Sequence, residues 1–305
     1  MFPIVRIDSS MAEALEPLGT KRKFWFTGAK GRRLLFKAEE RGTGEDWAEK
    51  VSCELAGLLG LPHVHYELAF DTAARTPGVI CESCVVAPTV LLMGNQLMLD
   101  RDPDYPANSG RRYRVSEHTL AAVARTLQSL SLPGPPWCGA LPEGVTTAVE
   151  VFAGYVMLDA WIANQDRHHE NWAGMRTAGT TALAPTFDHG AALARNLSDE
   201  ERAERLNSRD QGRRMPAFAR RARSAFYAEP GDASAMSTHA AWQAFSRFAP
   251  AASTIWVDRL RRIDVGQVRD LLREVPPDRL SAIGRAFTAE LLAENRRRIV
   301  EEFEP

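Results

Sequence analysis

Residues 159–190 read DAWIANQDRHHENWAGMRTAGTTALAPTFDHG. Asp166 and Asn171 stand in a polar run, DRHHEN, after an apolar helical pattern that ends near Ile162. Residues 172–176 and 183–187 have the composition of short strands, and Thr177, Ala178, Gly179 and Thr180 between them are turn-prone. A helix, a polar loop, a hairpin and then Asp-His-Gly would return Asp188 to the side of Asn171. That arrangement suits phosphoryl transfer. One carboxylate takes or orients a hydroxyl proton, while an amide and a second carboxylate hold the magnesium that neutralises the phosphates.

The order D-x-x-x-x-N followed by an Asp-led return resembles the catalytic and metal-binding loops of protein-kinase-like enzymes. Its spelling, apolar-x-N-x-DRHxxN and then FDHG, is similar to that of the HipA-like serine/threonine kinases of bacterial toxin–antitoxin systems. The phosphatidylinositol 3/4-kinases share the D-R-H-x-x-N order. The chain departs from the ordinary eukaryotic pattern, because Arg and His follow the Asp and His189 replaces the usual Phe. The resemblance implies an α+β, two-lobed protein kinase-like fold, with a small antiparallel sheet lobe over 1–86 and a mostly helical lobe over 87–305. It implies ATP and Mg2+ as cofactors, Asp166 as the catalytic carboxylate, and Asn171 and Asp188 as metal ligands. It covers residues 20–195 in recognisable order, and the final hundred or so match only as helices. The additional N-terminal subdomain of a full HipA toxin is expected to be missing, which separates this resemblance from toxin activity as such.

Upstream, 23–27 (KFWFT) and 33–38 (RLLFKA) read as strands joined by the turn Gly28-Ala29-Lys30-Gly31. Backbone N–H groups of such a turn can face phosphates, so Gly28, Lys30 and Gly31 are candidate nucleotide contacts. The resemblance places the nucleotide lysine at Lys37. Thr43 or Gly44 can cap a helix over 45–59, with Glu45 and Asp46 in its first turn and Gly60-Leu61-Pro62 after its end. Trp47, Val51, Leu55 and Leu58 form a stripe expected to pack on a sheet. Spacing leaves both Glu49 and Glu54 open as partner of Lys37; counting back from Leu-Gly-Leu as in the HipA-like family favours Glu49. Strands are expected over 65–70 and 77–87, the second as the hinge that meets adenine, with Glu82 and Ser83 as its candidate contacts.

Beyond the hinge, 100–110 (DRDPDYPANSG) is a Pro-broken loop. Helices are expected from Ser116 to about 129, from Thr146 or Thr147 into the catalytic stretch, and over 241–249, 254–263, 265–273 and 277–302. The segment 211–228 carries Arg213, Arg214, Arg220, Arg221 and Arg223 and no acids. It is the clearest basic patch and the place where an acidic substrate or nucleic acid would bind; a solvated helix face is the plainer alternative.

With 305 residues the chain is long enough for two lobes. A net charge of −1 gives no global bias toward nucleic acid or membrane. No apolar run approaches a membrane span, and the N-terminus lacks the pattern of a signal peptide. Cys53, Cys81, Cys84 and Cys138 include one CxxC without a second, so buried reduced thiols and a cytoplasmic location are expected. The function expected is an ATP- and Mg-dependent phosphotransferase acting on serine or threonine of a protein, itself included, with an antitoxin-like protein among its partners and no membrane. The alternatives are a phosphoinositide or small-molecule kinase and a nucleotide-binding pseudokinase.

Overall fold

Alternating apolar residues build the first lobe. The computed structural model describes residues 1–15, 22–28, 31–40, 42–108 and 114–304. Strands β1 (Ile4–Ile7), β2 (Ala14–Leu15), β3 (Lys23–Thr27), β4 (Arg33–Ala38), β5 (Tyr66–Asp71) and β6 (Thr76–Glu82) form one sheet in the order β1-β5-β6-β4-β3-β2. Phe24, Phe26, Phe36 and Ile80 collect in one apolar cluster, and Leu35, Tyr66, Leu68, Val79 and Cys81 in a second. Because neighbours in a strand point to opposite faces, the sheet carries a core on both. The sheet was expected to be antiparallel, but β1 pairs with β5 in parallel. The long connection between them, which includes a helix, is the kind that parallel pairing needs.

That helix, α1 (Glu45–Leu59), starts from Gly44 in a left-handed conformation and ends at Gly60 in the same conformation. Gly44 has no side chain to cap with. Glu39, just past β4, does so by accepting from the backbone N–H groups of Thr43 and Glu45. Trp47, Val51, Leu55 and Leu59 recur every four residues and are buried, whereas Leu58, expected in the stripe, is exposed. The stripe does not pack on the sheet alone. It joins the main core of the helical lobe, while Cys53 on another side of α1 packs with Val64, Tyr66 and Leu68 of the sheet region. Both ends of α1 are tied down, by an Asp46–Arg279 ion pair and by Arg259 donating to the Leu59 carbonyl (3.0 Å).

The second lobe is organised on α4 (Ala148–Ile162), capped by Thr147 and Glu150 and buried on nearly every side. A helix apolar all round belongs in the middle of a bundle. Here α7 (Thr238–Ser246), α8 (Pro250–Arg262) and α10 (Ala282–Glu301) surround it. At Gly154 a side chain would stand 2.5 Å from Leu61 and 2.8 Å from Trp256, so close approach requires glycine there.

Several boundaries differ from expectation. Helix α3 (Leu120–Leu127) begins after Thr119, whose hydroxyl accepts from the Ala122 N–H, and not at Ser116. The last helix starts after Ser281 for the same reason, four residues beyond Pro277. A small second sheet, β7 (Val90–Met93), β8 (Ala173–Thr177) and β9 (Thr180–Leu183), contains the expected hairpin. Ala178 (φ 49°) and Gly179 (φ 85°) make a two-residue turn with Thr177 opposite Thr180. The return strand therefore begins at Thr180, and it ends before Pro185, which lacks an N–H for the ladder. Strand β7 and the helix α2 (Gly94–Arg101) after it, together with α5 (Asp199–Asn207), were not expected. The arginine-rich segment is helical only over α6 (Met215–Ala219), and α9 (Val265–Glu274) completes the lobe.

Candidate active site

Helix α4 stops at Ala163, whose left-handed backbone (φ 53°) turns the chain into the polar loop. Asn164 holds the turn, donating from its side-chain amide to Asp159 Oδ1 (2.8 Å) and accepting from the Asp166 N–H (3.2 Å). Arg167 is almost fully buried. Its Nε and Nη2 each donate to the Asp159 carboxylate at 2.8 Å, and its Nη1 donates to the Asn171 carbonyl (2.9 Å). A two-pronged guanidinium–carboxylate pair is among the strongest polar contacts available inside a protein. It bolts the loop to the helix before it, so Asp159 and Arg167 are structural.

The same guanidinium reaches the Asp-His-Gly return, with Nη2 donating to His189 Nε2 (3.0 Å); the Thr186 hydroxyl also bonds that nitrogen (2.9 Å). With Nε2 accepting, His189 keeps its proton on Nδ1. Burial, and then the charge of Arg167, push its pKa well down, so it stays neutral. His189 is thus a fixed acceptor behind the loop, where the eukaryotic pattern has an apolar ring.

On the cavity side, Lys37 Nζ donates at 2.9 Å to both Glu49 Oε1 and Asp188 Oδ1. The second Glu49 oxygen accepts from the His189 N–H (2.8 Å). Glu54, the other candidate, pairs instead with Lys50 one turn before it (2.7 Å). The Tyr66 hydroxyl accepts from Lys37 Nζ and from the Asp188 N–H, both at 3.3 Å. Asp188 is held with φ at 59°, an uncommon conformation for a residue other than glycine. Burial opposes the Asp188 charge, but Lys37 and then Lys23 outweigh it and hold the carboxyl well below the usual carboxylate range. Burial likewise opposes the Lys37 charge, and Asp188 and Glu49 outweigh it, so its pKa is raised. For Glu49 burial wins over Lys37, and its pKa is raised.

Lys37, Glu49 and Asp188 line a cavity of about 360 Å³, together with Lys23, Glu45, Asp166, Gly190 and Arg195. That volume falls within the range of small-molecule sites, roughly 300–1,000 Å³. Asn171 donates its amide to the Asp166 carbonyl (2.6 Å), which ties the two ends of the loop together behind the cavity wall. The Asp166 and Asp188 carboxylates that line the cavity are the hard oxygen donors that a magnesium ion takes, so the residues present fit one. The structure does not bring every candidate together. Asn171, Gly28, Gly31, Glu82 and Ser83 do not line this cavity; Glu82 pairs with Arg32 (2.8 Å), and the Ser83 hydroxyl donates to the Val85 carbonyl (3.0 Å). Lys30 lies outside the described residues.

Two cavity groups, and the tyrosine bonded to a third, escaped the sequence reading. Lys23 stands directly opposite Lys37 in the β3–β4 register, a position readable from the hairpin by counting outward from its turn. Arg195 donates to the Gly190 carbonyl and pairs with Glu45, bridging the loop to the start of α1. Tyr66 carried no signal beyond a strand pattern. The arginine patch lies outside this cavity and is not free of acids in space, since Arg213 pairs with Glu204 of α5 (2.7 Å).

No protein-family model matches the chain, and no curated protein matches it. Solved structures do. The Helicobacter pylori proinflammatory kinase CtkA superposes with a TM-score of 0.69 at 19% identity, over 98% of this chain and 96% of that one. HipA, in a complex of the Shewanella oneidensis MR-1 toxin–antitoxin system with HipB and operator DNA, superposes with a TM-score of 0.54 at 14% identity. That match spans 95% of this chain and 68% of the other. The chain therefore has the HipA-like, protein kinase-like fold, with a small sheet lobe and a helical lobe.

Proposed function

We propose that the chain is an ATP- and magnesium-dependent kinase that phosphorylates serine or threonine of a protein. The observation that carries this reading is Lys37 Nζ held at 2.9 Å from both Glu49 and Asp188, with Asp166 lining the same cavity. In this reading Lys37 anchors the phosphates, and Glu49, fixed by the His189 N–H, keeps it pointed at them. Asn171 and Asp188 would hold magnesium, which neutralises phosphate charge as it is transferred. Asp166 orients the attacking hydroxyl and takes its proton; positioning and charge stabilisation supply most of the rate in such transfers. Lys23 adds a second cation on the same side of the sheet. Protein is favoured over lipid as the acceptor because the 213–223 arginines, the basic headgroup pocket a phosphoinositide kinase would need, lie outside the cavity. A protein partner analogous to an antitoxin, and action on the chain itself, belong to the same proposal.

Transfer from labelled ATP tests it, with the protein alone, with a cell lysate and with phosphoinositide vesicles. Label on protein serine or threonine, lost in Asp166→Ala and Asp188→Ala, is the expected result. Label in lipid alone would replace the reading by the second one. Magnesium-dependent ATP binding without transfer would make the chain a pseudokinase.

A further inference from the structure

A second group of chemistry-bearing side chains lies behind the active site, between α1 and β5. Cys53 on α1 and His63 and His65 on the segment entering β5 each offer one ligand atom, and these atoms all lie within 4.8 Å of one another. The two imidazoles meet edge to face with centroids 4.6 Å apart. Cys53 and His63 are buried and His65 is exposed.

The hydrogen bonds show which atoms are available. His63 Nδ1 lies 2.7 Å from the Leu61 carbonyl, which can only accept, so Nδ1 carries the proton and Nε2 keeps its lone pair. Metal-binding histidines are typically oriented in this way, by a carbonyl or carboxylate on the other ring nitrogen. His63 also faces the Gly57 turn of α1, which follows the turn bearing Cys53. The backbone N–H of Tyr66 donates to Cys53 Sγ (3.4 Å), which favours the thiolate and orients the sulfur. In a tetrahedral site with one sulfur and two nitrogens the ligand atoms stand about 3.3–3.6 Å apart. A closure of about 1 Å at the widest pair therefore suffices.

We propose that Cys53, His63 and His65 bind one divalent transition metal of the zinc class, with water as fourth ligand on the exposed His65 side. A thiolate and two imidazoles select such an ion over magnesium, which takes oxygen donors. Burial holds the Cys53 thiol up at about 12, so binding displaces its proton. The site ties α1 to β5 and from there to the catalytic groups. Tyr66, whose N–H faces Cys53, places its hydroxyl against Lys37 and Asp188. The Val64 N–H donates to the carbonyl of Thr186, two residues before Asp188 (3.0 Å). The metal is thus a clamp on the back of the active site and no part of phosphate chemistry.

The test is titration of the protein with Co2+ in excess Mg2+, followed by displacement with Zn2+. The expected result is one equivalent bound, with a thiolate-to-cobalt charge-transfer band and the intense visible bands of a tetrahedral ion. Cys53→Ser should abolish the charge-transfer band. His65→Gln, an exposed position whose loss leaves the core intact, should weaken binding by more than about 100-fold, the upper end for loss of a mere outer-sphere partner. Asp188→Ala should leave the band unchanged, separating this site from the magnesium ligands. Absence of the band in wild type, or binding unaltered in a folded His65→Gln variant, would overturn the proposal.

Discussion

Two charged clusters flank the loop that carries Asp166, and they are built alike but placed differently. Asp159 and Arg167 behind the loop keep side-chain exposures of 5% and 1%, and every guanidinium nitrogen of Arg167 has a partner. In front of it, Lys37 and Glu49 are nearly as buried, but Asp188 retains 32% exposure at the cavity. An ion pair closed off from solvent and saturated with hydrogen bonds can only hold structure. A pair whose acidic end is open can exchange partners, so under the proposed function Lys37 passes from Asp188 to an incoming phosphate. Ion pairs of the same kind thus serve as bolt and as socket, according to whether a cavity reaches them.

Substitutions separate the two. Asp166→Asn should lower the transfer rate by about 10²–10⁴-fold, the usual contribution of a positioned acid–base group, with the melting temperature unchanged. A rate within threefold of wild type in kinetic assays would break the assignment of the front cluster. Arg167→Met leaves the Asp159 carboxylate buried without its counter-charge and should cost about 3–5 kcal/mol of stability. Urea unfolding measures this, and an unshifted midpoint would show that the rear cluster is no bolt. Glu49→Gln leaves Asp188 as the one carboxylate on Lys37 and should weaken nucleotide binding roughly tenfold, as expected for one charge-assisted hydrogen bond; calorimetric titration with ATP and magnesium reads it.

The pH dependence of stability probes the back of the loop more gently. His118 is bonded to the Ala225 carbonyl and the Trp172 indole N–H, and burial pushes its pKa down from 6.5 to about 3. Between those values the unfolded chain binds the proton and the folded chain does not, so stability is full above pH 6.5 and falls as the pH drops toward 3. One such group contributes a slope of about 1.4 kcal/mol per pH unit. His118→Gln should remove that increment from the slope, even if it lowers stability at every pH. The smallest effect is expected at Glu54, which is 37% exposed and touches neither cluster, because the buried Lys50 keeps Glu67 as a second partner at 3.0 Å. Glu54→Ala should change stability by less than about 1 kcal/mol and leave transfer at the wild-type rate.

Much of this was legible because local chemistry and tertiary demand agree. The hairpin KFWFT–RLLFKA, the helix from Glu45 to Leu59 and the helix into the DRHHEN loop each carry their own periodicity and punctuation. The structure also separates Glu49 from Glu54, which spacing alone left open, since only the fold determines which carboxylate turns toward β4. What stayed hidden depends on contacts between distant segments. Strand β7 is defined by pairing with β8, some eighty residues later, and a four-residue run has too little pattern to announce it. Tyr66 acquires its place only when β5 passes behind Asp188. His189 looked like a simple replacement for phenylalanine, yet it works through a hydrogen bond to Arg167 that no spacing rule encodes.

The double anchoring of α1 has a consequence for how such a protein can evolve. Its buried stripe is part of the helical lobe's core, its opposite side part of the sheet's, and Arg279 and Arg259 grip its two ends. A recombination joining this sheet to some other helical partner would strip the stripe of its groove and leave Asp46 buried opposite nothing. The two lobes are therefore heritable only as a set, and variation in their descendants belongs at the exposed edges and loops, not at the seam.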